Sequence, residues 1–431
     1  MEQQLLCLSV ALIAGLLMSR VAKRIHLPAV TGYLLTGLLL GPFCIGALGV
    51  TGLGFSTLDY VEEFSVICQV ALGFIAFIIG NEFRLSELKT MGRQAIVVGI
   101  LQAVVTTVLV DITLIGLHFI RSSFISLSAA VTLGAIAAAT APAATLMVVK
   151  QYKASGPLTK LLLMVVAIDD AVGLVLFSVS FGVASALERG QVDVIGIVVE
   201  PLLEIVLSVI LGAAAGVALE RLEHLFFSRS KRNALSVGFV LLTAGLSMTE
   251  FDIGPVHIGF SLLLVCMMTG TVFCNICETS EEMMDRIDRW TAPVNILFFV
   301  LSGAALNLRV LRSPLVLAVG AVYIVSRSAG KIGGSWCSCR LTRCSDTIQK
   351  YLGITLLPQA GVALGMALTA SNLADGEIVR NVVLFSVLVY ELVGPTLTKL
   401  SLTAAGEIDP TLEPNDRSVN ARPEAVARKA G

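Results

Sequence analysis

Apolar residues along this chain come in blocks of about twenty, the length a helix rising 1.5 Å per residue needs to cross a hydrocarbon layer about 30 Å thick. Short polar connections separate the blocks. They predict thirteen helices, near residues 4–22, 28–47, 64–81, 94–119, 124–149, 158–187, 194–219, 233–249, 257–276, 291–307, 313–336, 348–371 and 378–403. The apolar/polar alternation of membrane β-strands is absent, so the expected fold class is an all-α polytopic membrane protein. The first block lacks a basic leader and runs into Ser19, Arg20, Val21, Ala22, Lys23 and Arg24 rather than a small-residue cleavage site, which argues against a removed signal peptide.

Two blocks are interrupted. The fifth, with the run GAIAAATAPAATLMVV, carries Pro142 in its middle after Thr140 and Ala141. The twelfth, YLGITLLPQAGVALGMAL, carries Pro358 followed by Gln359 and Gly361. Proline removes a ladder hydrogen bond and clashes with the preceding turn. Unwound backbone at that depth is tolerated only where protein or water lines it, and paired breaks in two halves of a chain mark a transporter's binding site. Blocks five and twelve are seven apart. This odd offset gives two six-helix repeats of opposite topology with the block at 194–219 as connector.

Charge sharpens the picture. The odd-numbered connections hold 18 Lys and Arg, whereas the even-numbered ones hold only five: Arg121, Arg189, Arg309, Arg312 and Arg380. Basic loops stay cytoplasmic, which predicts an outside N-terminus and a cytoplasmic C-terminus. Residues 407–431, rich in Pro, Asp, Glu and Arg, read as a disordered cytoplasmic tail after a membrane domain at 1–406. No glycine-rich nucleotide fingerprint follows the last block, so no fused nucleotide-gated domain is expected. Only 14% of residues are charged and the mean hydropathy is +0.87, and a net charge of −1 gives no field to attract nucleic acid. No cofactor is expected. Nine cysteines fall in blocks or predicted cytoplasmic loops, which speaks against a disulfide framework. Cys274 and Cys277 form a CxxC, and Cys337, Cys339 and Cys344 cluster; small buried thiols at helix ends are the plain reading, with a zinc or redox site as the alternative.

The chemistry concentrates in the sixth block, LLLMVVAIDDAVGLVLFSVSFG, where Asp169 and Asp170 stand side by side. A carboxylate at the bilayer centre costs about 2.5–3.5 kcal/mol on insertion scales, so an intramembrane pair is a functional-site hypothesis. Helix neighbours point about 100° apart. One aspartate can face an ion path while the other meets a partner, and Lys331 in IVSRSAGKIGGSW is the deepest base in the matching block of the other half. Arg327, four residues earlier, shares its face and is expected to pair with Glu391. Thr140 and freed carbonyls supply hard oxygen ligands. For Asp111 two readings stay open, a supporting group beside the site or a water-facing residue.

The stretches GYLLTGLLLGP, FIIGNEF, ATAPAAT, AIDDAVGLVLFS, FFVLSGAALNL, SRSAGKIGG and LLPQAGVALG together resemble the sodium/proton antiporters of the monovalent cation:proton antiporter superfamily, in the branch with paired aspartates. The resemblance spans about residues 5–407. It implies a core near 94–187 and 313–403 with two crossed discontinuous helices, and a dimerisation or panel unit near 4–81 and 233–307. It further implies Asp170 as the carboxylate for Na+ or H+, Asp169 as the partner of Lys331, Thr140 at the crossing, alternating access, a homodimer and a role in pH homeostasis in a prokaryotic plasma membrane. Many members carry an aspartate where Ala141 stands, which opens the question of ion selectivity and pH sensing.

A potassium/proton or potassium-efflux system of the same architecture, with a regulatory domain on a separate subunit, is the nearest alternative; a sodium-coupled organic-acid symporter is a further one. An intramembrane aspartyl protease needs aspartates from two helices around one water, and this chain offers two on one helix without a Gly-x-Gly-Asp. The function class is transport rather than enzymatic conversion.

Overall fold

The computed structural model describes residues 2–408 apart from 26, 51, 122–123, 190–198, 250, 254–255 and 371–372. In chain order the helices are α1 (Glu2–Arg24), α2 (Ala29–Leu40), α3 (Leu58–Glu62), α4 (Ser65–Ile79), α5 (Leu85–Ile120), α6 (Leu127–Ile136), α7 (Pro142–Gln151), α8 (Pro157–Arg189), α9 (Glu200–Glu223) and α10 (Arg229–Ser247). A two-stranded antiparallel hairpin, β1 (Phe251–Ile253) with β2 (Val256–Ile258), precedes α11 (Leu262–Ile276), α12 (Ser280–Ala304), α13 (Pro314–Leu341), α14 (Asp346–Thr355), α15 (Gly361–Thr369) and α16 (Gly376–Ala404). Among the described residues eight helical spans are long and apolar enough to cross a membrane, and α4, α6 and α11 are shorter apolar ones. This is an all-helical integral membrane fold with one small hairpin.

The predicted blocks fall on these helices, with informative shifts. The fifth and twelfth blocks are each two half-helices, α6 with α7 and α14 with α15. The ninth, predicted from residue 257, starts as a strand and becomes helical only at Leu262, where Ser261 accepts from the Leu264 amide at 3.4 Å and caps the first turn. The tenth begins at Ser280 instead of 291, because SEEMMDRIDRW is amphipathic and buries Met283, Met284 and Ile287 while its acids face out. Residues 194–198 of the predicted connector and 409–431 of the predicted tail lie outside the described residues.

Glu407, assigned to that tail by composition, is part of the fold. Its carboxylate accepts from the amides of Leu158 and Thr159 at 2.6 and 2.7 Å and from the Thr159 hydroxyl at 2.6 Å, while its carbonyl accepts from the Ser155 amide at 3.0 Å. An acid at the start of a helix satisfies orphan N–H groups and meets the positive end of the dipole. The end of α16 is thereby tied to the start of α8.

Helices α5 to α8 and α13 to α16 pack on one another, and α1, α2, α4, α10, α11 and α12 pack among themselves. The two groups meet where α2 and α4 touch α7, where α2 touches α16 and where α8 touches α11. In the second group α2 and α12 cross almost backbone to backbone: a Cβ on Gly37 would sit 1.9 Å from the Val300 carbonyl oxygen, and one on Gly303 would sit 2.1 Å from that of Leu34. Only glycine permits this approach, the small-residue packing that joins helices in lipid.

Candidate functional site

The site forms at the two breaks. Pro142 has no N–H and holds the residue before it in extended backbone, so Ala141 stands at φ −90°, ψ 102° and α6 cannot run on into α7. Pro358 interrupts the second span in the same way. The unwound segments cross and touch directly, with the Ala141 amide donating to the Pro358 carbonyl at 2.9 Å.

A helix ending inside a membrane leaves its last carbonyls without partners. Here every one from Ile136 to Ala139 is taken by a side chain of the other half. Gln359 Nε2 donates to Ile136 O at 3.1 Å, Arg327 Nε and Nη2 to Ala137 O and Ala139 O at 3.0 and 2.7 Å, and Lys331 Nζ to Ala138 O at 2.5 Å. Arg327 Nη1 also reaches Leu357 O at 2.7 Å, so one guanidinium closes both breaks. Its carbon lies 4.5 Å from the centre of the Tyr390 ring, a cation–π contact. The expected pair between Arg327 and Glu391 is not formed. The planar fork matches several carbonyls at once, and Glu391 Oε2 is buried with no hydrogen-bond partner.

Asp169 and Lys331 meet as expected. Lys331 Nζ lies 2.9 Å from Asp169 Oδ2 and 2.9 Å from Thr140 Oγ1, and both charged side chains are fully buried. Thr140 Oγ1 in turn donates to Asp169 Oδ2 at 2.5 Å. The second carboxylate oxygen, Oδ1, accepts from Gln102 Nε2, on α5. Gln102 is fully buried and also donates to the Gly99 carbonyl at 3.1 Å. Sequence reasoning missed it, because a neutral amide in an apolar block carries no charge signal; its polarity within α5 was the one available cue.

Asp170 has the opposite surroundings. Its Oδ1 is buried without a partner. The carboxylate lines a small cavity with Pro142 of α7, Ala167 of α8, Ala76 and Ile79 of α4, and Leu263, Leu264 and Met267 of α11. The cavity has room for about one water molecule. It lies between the two helix groups, with the break on one side and apolar walls on the other.

Asp111 stands elsewhere. It packs against Gly134 of α6, where a Cβ would lie 1.7 Å from its Oδ1, and that oxygen is buried without a partner. No hydrogen bond links it to Asp169 among the described residues. Gly361 opens α15 as the first residue after the second break.

Residues 8–403 match the family model described as sodium/hydrogen exchanger, transmembrane. This chain belongs to the sodium/hydrogen exchanger family. It is thus a cation/proton exchange transporter of the membrane, as the paired aspartates and broken helices led one to expect. Among solved structures it is similar to the sodium proton antiporter MjNhaP1 from Methanocaldococcus jannaschii. One structure of that protein, at pH 8, shares 20% identity over 94% of this chain and 97% of that one with a TM-score of 0.64; another, from electron microscopy, shares 18% over 94% and 98% with a TM-score of 0.70. At that identity the likeness establishes the fold, and the roles of individual residues in this exchanger come from its own geometry.

Proposed function

We propose that this exchanger swaps one monovalent cation, Na+ or Li+, for protons at Asp170 by alternating access. The observation that carries this reading is the buried, unpartnered oxygen of Asp170 in a small cavity between two helix groups. A cargo site must hold a dehydrated cation or a proton, one excluding the other, and a carboxylate already bonded on both oxygens cannot do so. Asp169 is bonded on both and serves as the fixed anion for Lys331. Hard oxygen ligands suit the ion, and the Thr140 hydroxyl and break carbonyls, bonded here to Asp169, Lys331, Arg327 and Gln359, exchange those partners to supply them. Arg327 and Gln359 hold the crossing, while the buried Glu391 and the half-buried Asp111 stand outside it.

The group α5–α8 with α13–α16 is the unit that moves against the group of α1, α2, α4 and α10–α12, with α9 as connector. Helix α1 supports a homodimer on the second group: 22% of its apolar span is buried within one chain, which leaves the rest for lipid or a second copy. Loop charge supports an outside N-terminus in a prokaryotic plasma membrane.

The test is proton flux in sealed liposomes, with lumenal pH followed as Na+, Li+ or K+ is added outside, for the native protein and Asp170→Asn. A flux driven by Na+ or Li+ and lost in the variant is the expected result. A flux driven by K+ alone would replace this reading with potassium/proton exchange, and a flux that survives Asp170→Asn would remove Asp170 from the site.

A further inference from the structure

Among the described residues, α7, α13 and α16 end in the same backbone motif, in which a residue in left-handed conformation lets the next amide bond back to a carbonyl inside the helix. At the end of α7, Lys153 has φ +50° and the Ala154 amide donates to Val149 O at 2.9 Å. At the end of α16, Gly406 has φ +77° and the Glu407 amide donates to Leu402 O at 3.0 Å. At the end of α13, Arg343 has φ +56° and the Cys344 amide donates to Cys339 O at 2.9 Å. The motif brings those two side chains together and is usually served by an apolar pair. Val149 with Ala154 meets that need, so thiols are not required for it.

Cys339 and Cys344 occupy the two positions, so the backbone motif sets their side chains beside each other. A backbone bond of 2.9 Å between them, with the fixed bend at the carbonyl carbon, limits the Cα separation to about 6.8 Å, the upper edge of the range a disulfide spans. The Thr342 hydroxyl lies 3.3 Å from Cys344 Sγ. The hydrogen bond from the Cys339 thiol, with help from Thr342 and against the opposing effect of burial, holds the Cys344 thiol down to about 6. Cys344 is 6% exposed in the turn between α13 and α14, and Cys339 is fully covered. The CxxC differs: Cys274 donates to the Gly80 carbonyl at 3.7 Å and Cys277 to Glu223 Oε2 at 3.2 Å, so each of these thiols turns to a different partner.

We propose that Cys339 and Cys344 are an oxidant-sensitive dithiol that a hydroperoxide converts to an intramolecular disulfide. The Cys344 thiolate attacks one oxygen of hydrogen peroxide, the O–O bond breaks, and the leaving hydroxide takes up a proton as water. The resulting sulfenic acid is then attacked by the Cys339 sulfur; the S–O bond breaks and the hydroxyl leaves with the Cys339 proton as a second water. Two thiols lose two electrons and one peroxide gains them. The bridge staples the joint between α13, which carries Arg327 and Lys331, and α14, which leads into the second break.

The experiment treats the full-length protein in detergent with hydrogen peroxide, unfolds it and alkylates free thiols with a light reagent. Reduction and alkylation with a heavy reagent follow, and each cysteine is read by peptide mass spectrometry. The expected result is heavy label on Cys339 and Cys344 and light label on the other seven. In Cys344→Ser, Cys339 stays light; in Cys337→Ser the heavy pair is unchanged. In Cys339→Ser, which keeps the attacking thiol, a dimedone-type reagent traps Cys344 as sulfenic acid. Light label on all nine after peroxide, or heavy label that moves to Cys337, overturns the proposal.

Discussion

Asp169 and Asp170 are adjacent in sequence and opposite in bonding: the first has both carboxylate oxygens occupied by Gln102, Thr140 and Lys331, and the second keeps one oxygen buried with no partner. The 100° turn between helix neighbours converts one dipeptide into two separate tasks. Asp169 faces α5, α13 and the break. Asp170 faces the seam between the two helix groups.

Removing one partner of the Asp169–Lys331 pair leaves a buried charge uncompensated, a loss of about 3–5 kcal/mol. Asp169→Ala and Lys331→Ala each lower the unfolding temperature strongly. The double variant Asp169→Ala with Lys331→Ala lowers it by much less than the sum of the two single losses. Thermal unfolding in detergent checks this, and a strictly additive result would show that the two residues are not coupled.

Gln102→Leu takes a donor away from Asp169 and leaves a buried carboxylate oxygen unmet, at about 1–3 kcal/mol. The same substitution frees the carboxylate to turn from its present orientation, so sodium-driven proton flux falls as well. Liposome flux beside an unfolding scan reads both. Unchanged values in both would show that the amide is a bystander.

Lys150 of α7 and Asp288 of α12 form an ion pair at 2.5 Å across the boundary between the helix groups, with side chains 25% and 39% exposed. At that exposure the pair adds only about 0.2–1 kcal/mol to stability. It must nevertheless part if the groups slide past each other. Lys150→Gln is expected to alter the exchange rate at least twofold with little change in unfolding temperature, and the swap Lys150→Asp with Asp288→Lys to restore it.

Gly303→Ala drives a methyl group into the Leu34 carbonyl and forces α2 from α12. Overpacking costs about 1–3 kcal/mol, and at a backbone contact the loss sits at the upper end. The readout is the unfolding temperature; an unaltered value would show that the crossing can open freely.

Glu407→Ala removes three hydrogen bonds from the first turn of α8. A lost cap costs about 0.5–2 kcal/mol. Hydrogen exchange at the Leu158 and Thr159 amides is expected to quicken at least tenfold while the middle of α8 keeps its protection.

Much of this site was legible in sequence because a membrane makes exceptions conspicuous. Pro142 and Pro358 stood out in apolar blocks, and so did Asp169, Asp170 and Lys331. What could not be read was choice of partner. Arg327 had Glu391 as its apparent counter-ion, yet the breaks create a row of carbonyls that a planar fork serves better. Gln102 gave no signal because amides are tolerated in apolar spans. Glu407 was lost to composition, since an acid among Pro, Asp and Arg reads as tail until a helix start is found beside it. The late onset of α11 had a similar origin: hydropathy registers apolar content, and a strand such as Val256–Ile258 is as apolar as a helix.

The bonds that close the first break also set an order of events during synthesis. Ala137, Ala138 and Ala139 wait for Arg327 and Lys331, which follow 188 to 193 residues later in the chain. At about 5–20 residues per second, the ribosome needs on the order of 10–40 s to deliver them. Throughout that interval the carbonyls at the end of α6 lack their final donors, and bare carbonyls are not stable in lipid. The nascent first half must therefore lodge where water reaches the break, at the translocation channel or the membrane edge, until the second half arrives to seal it.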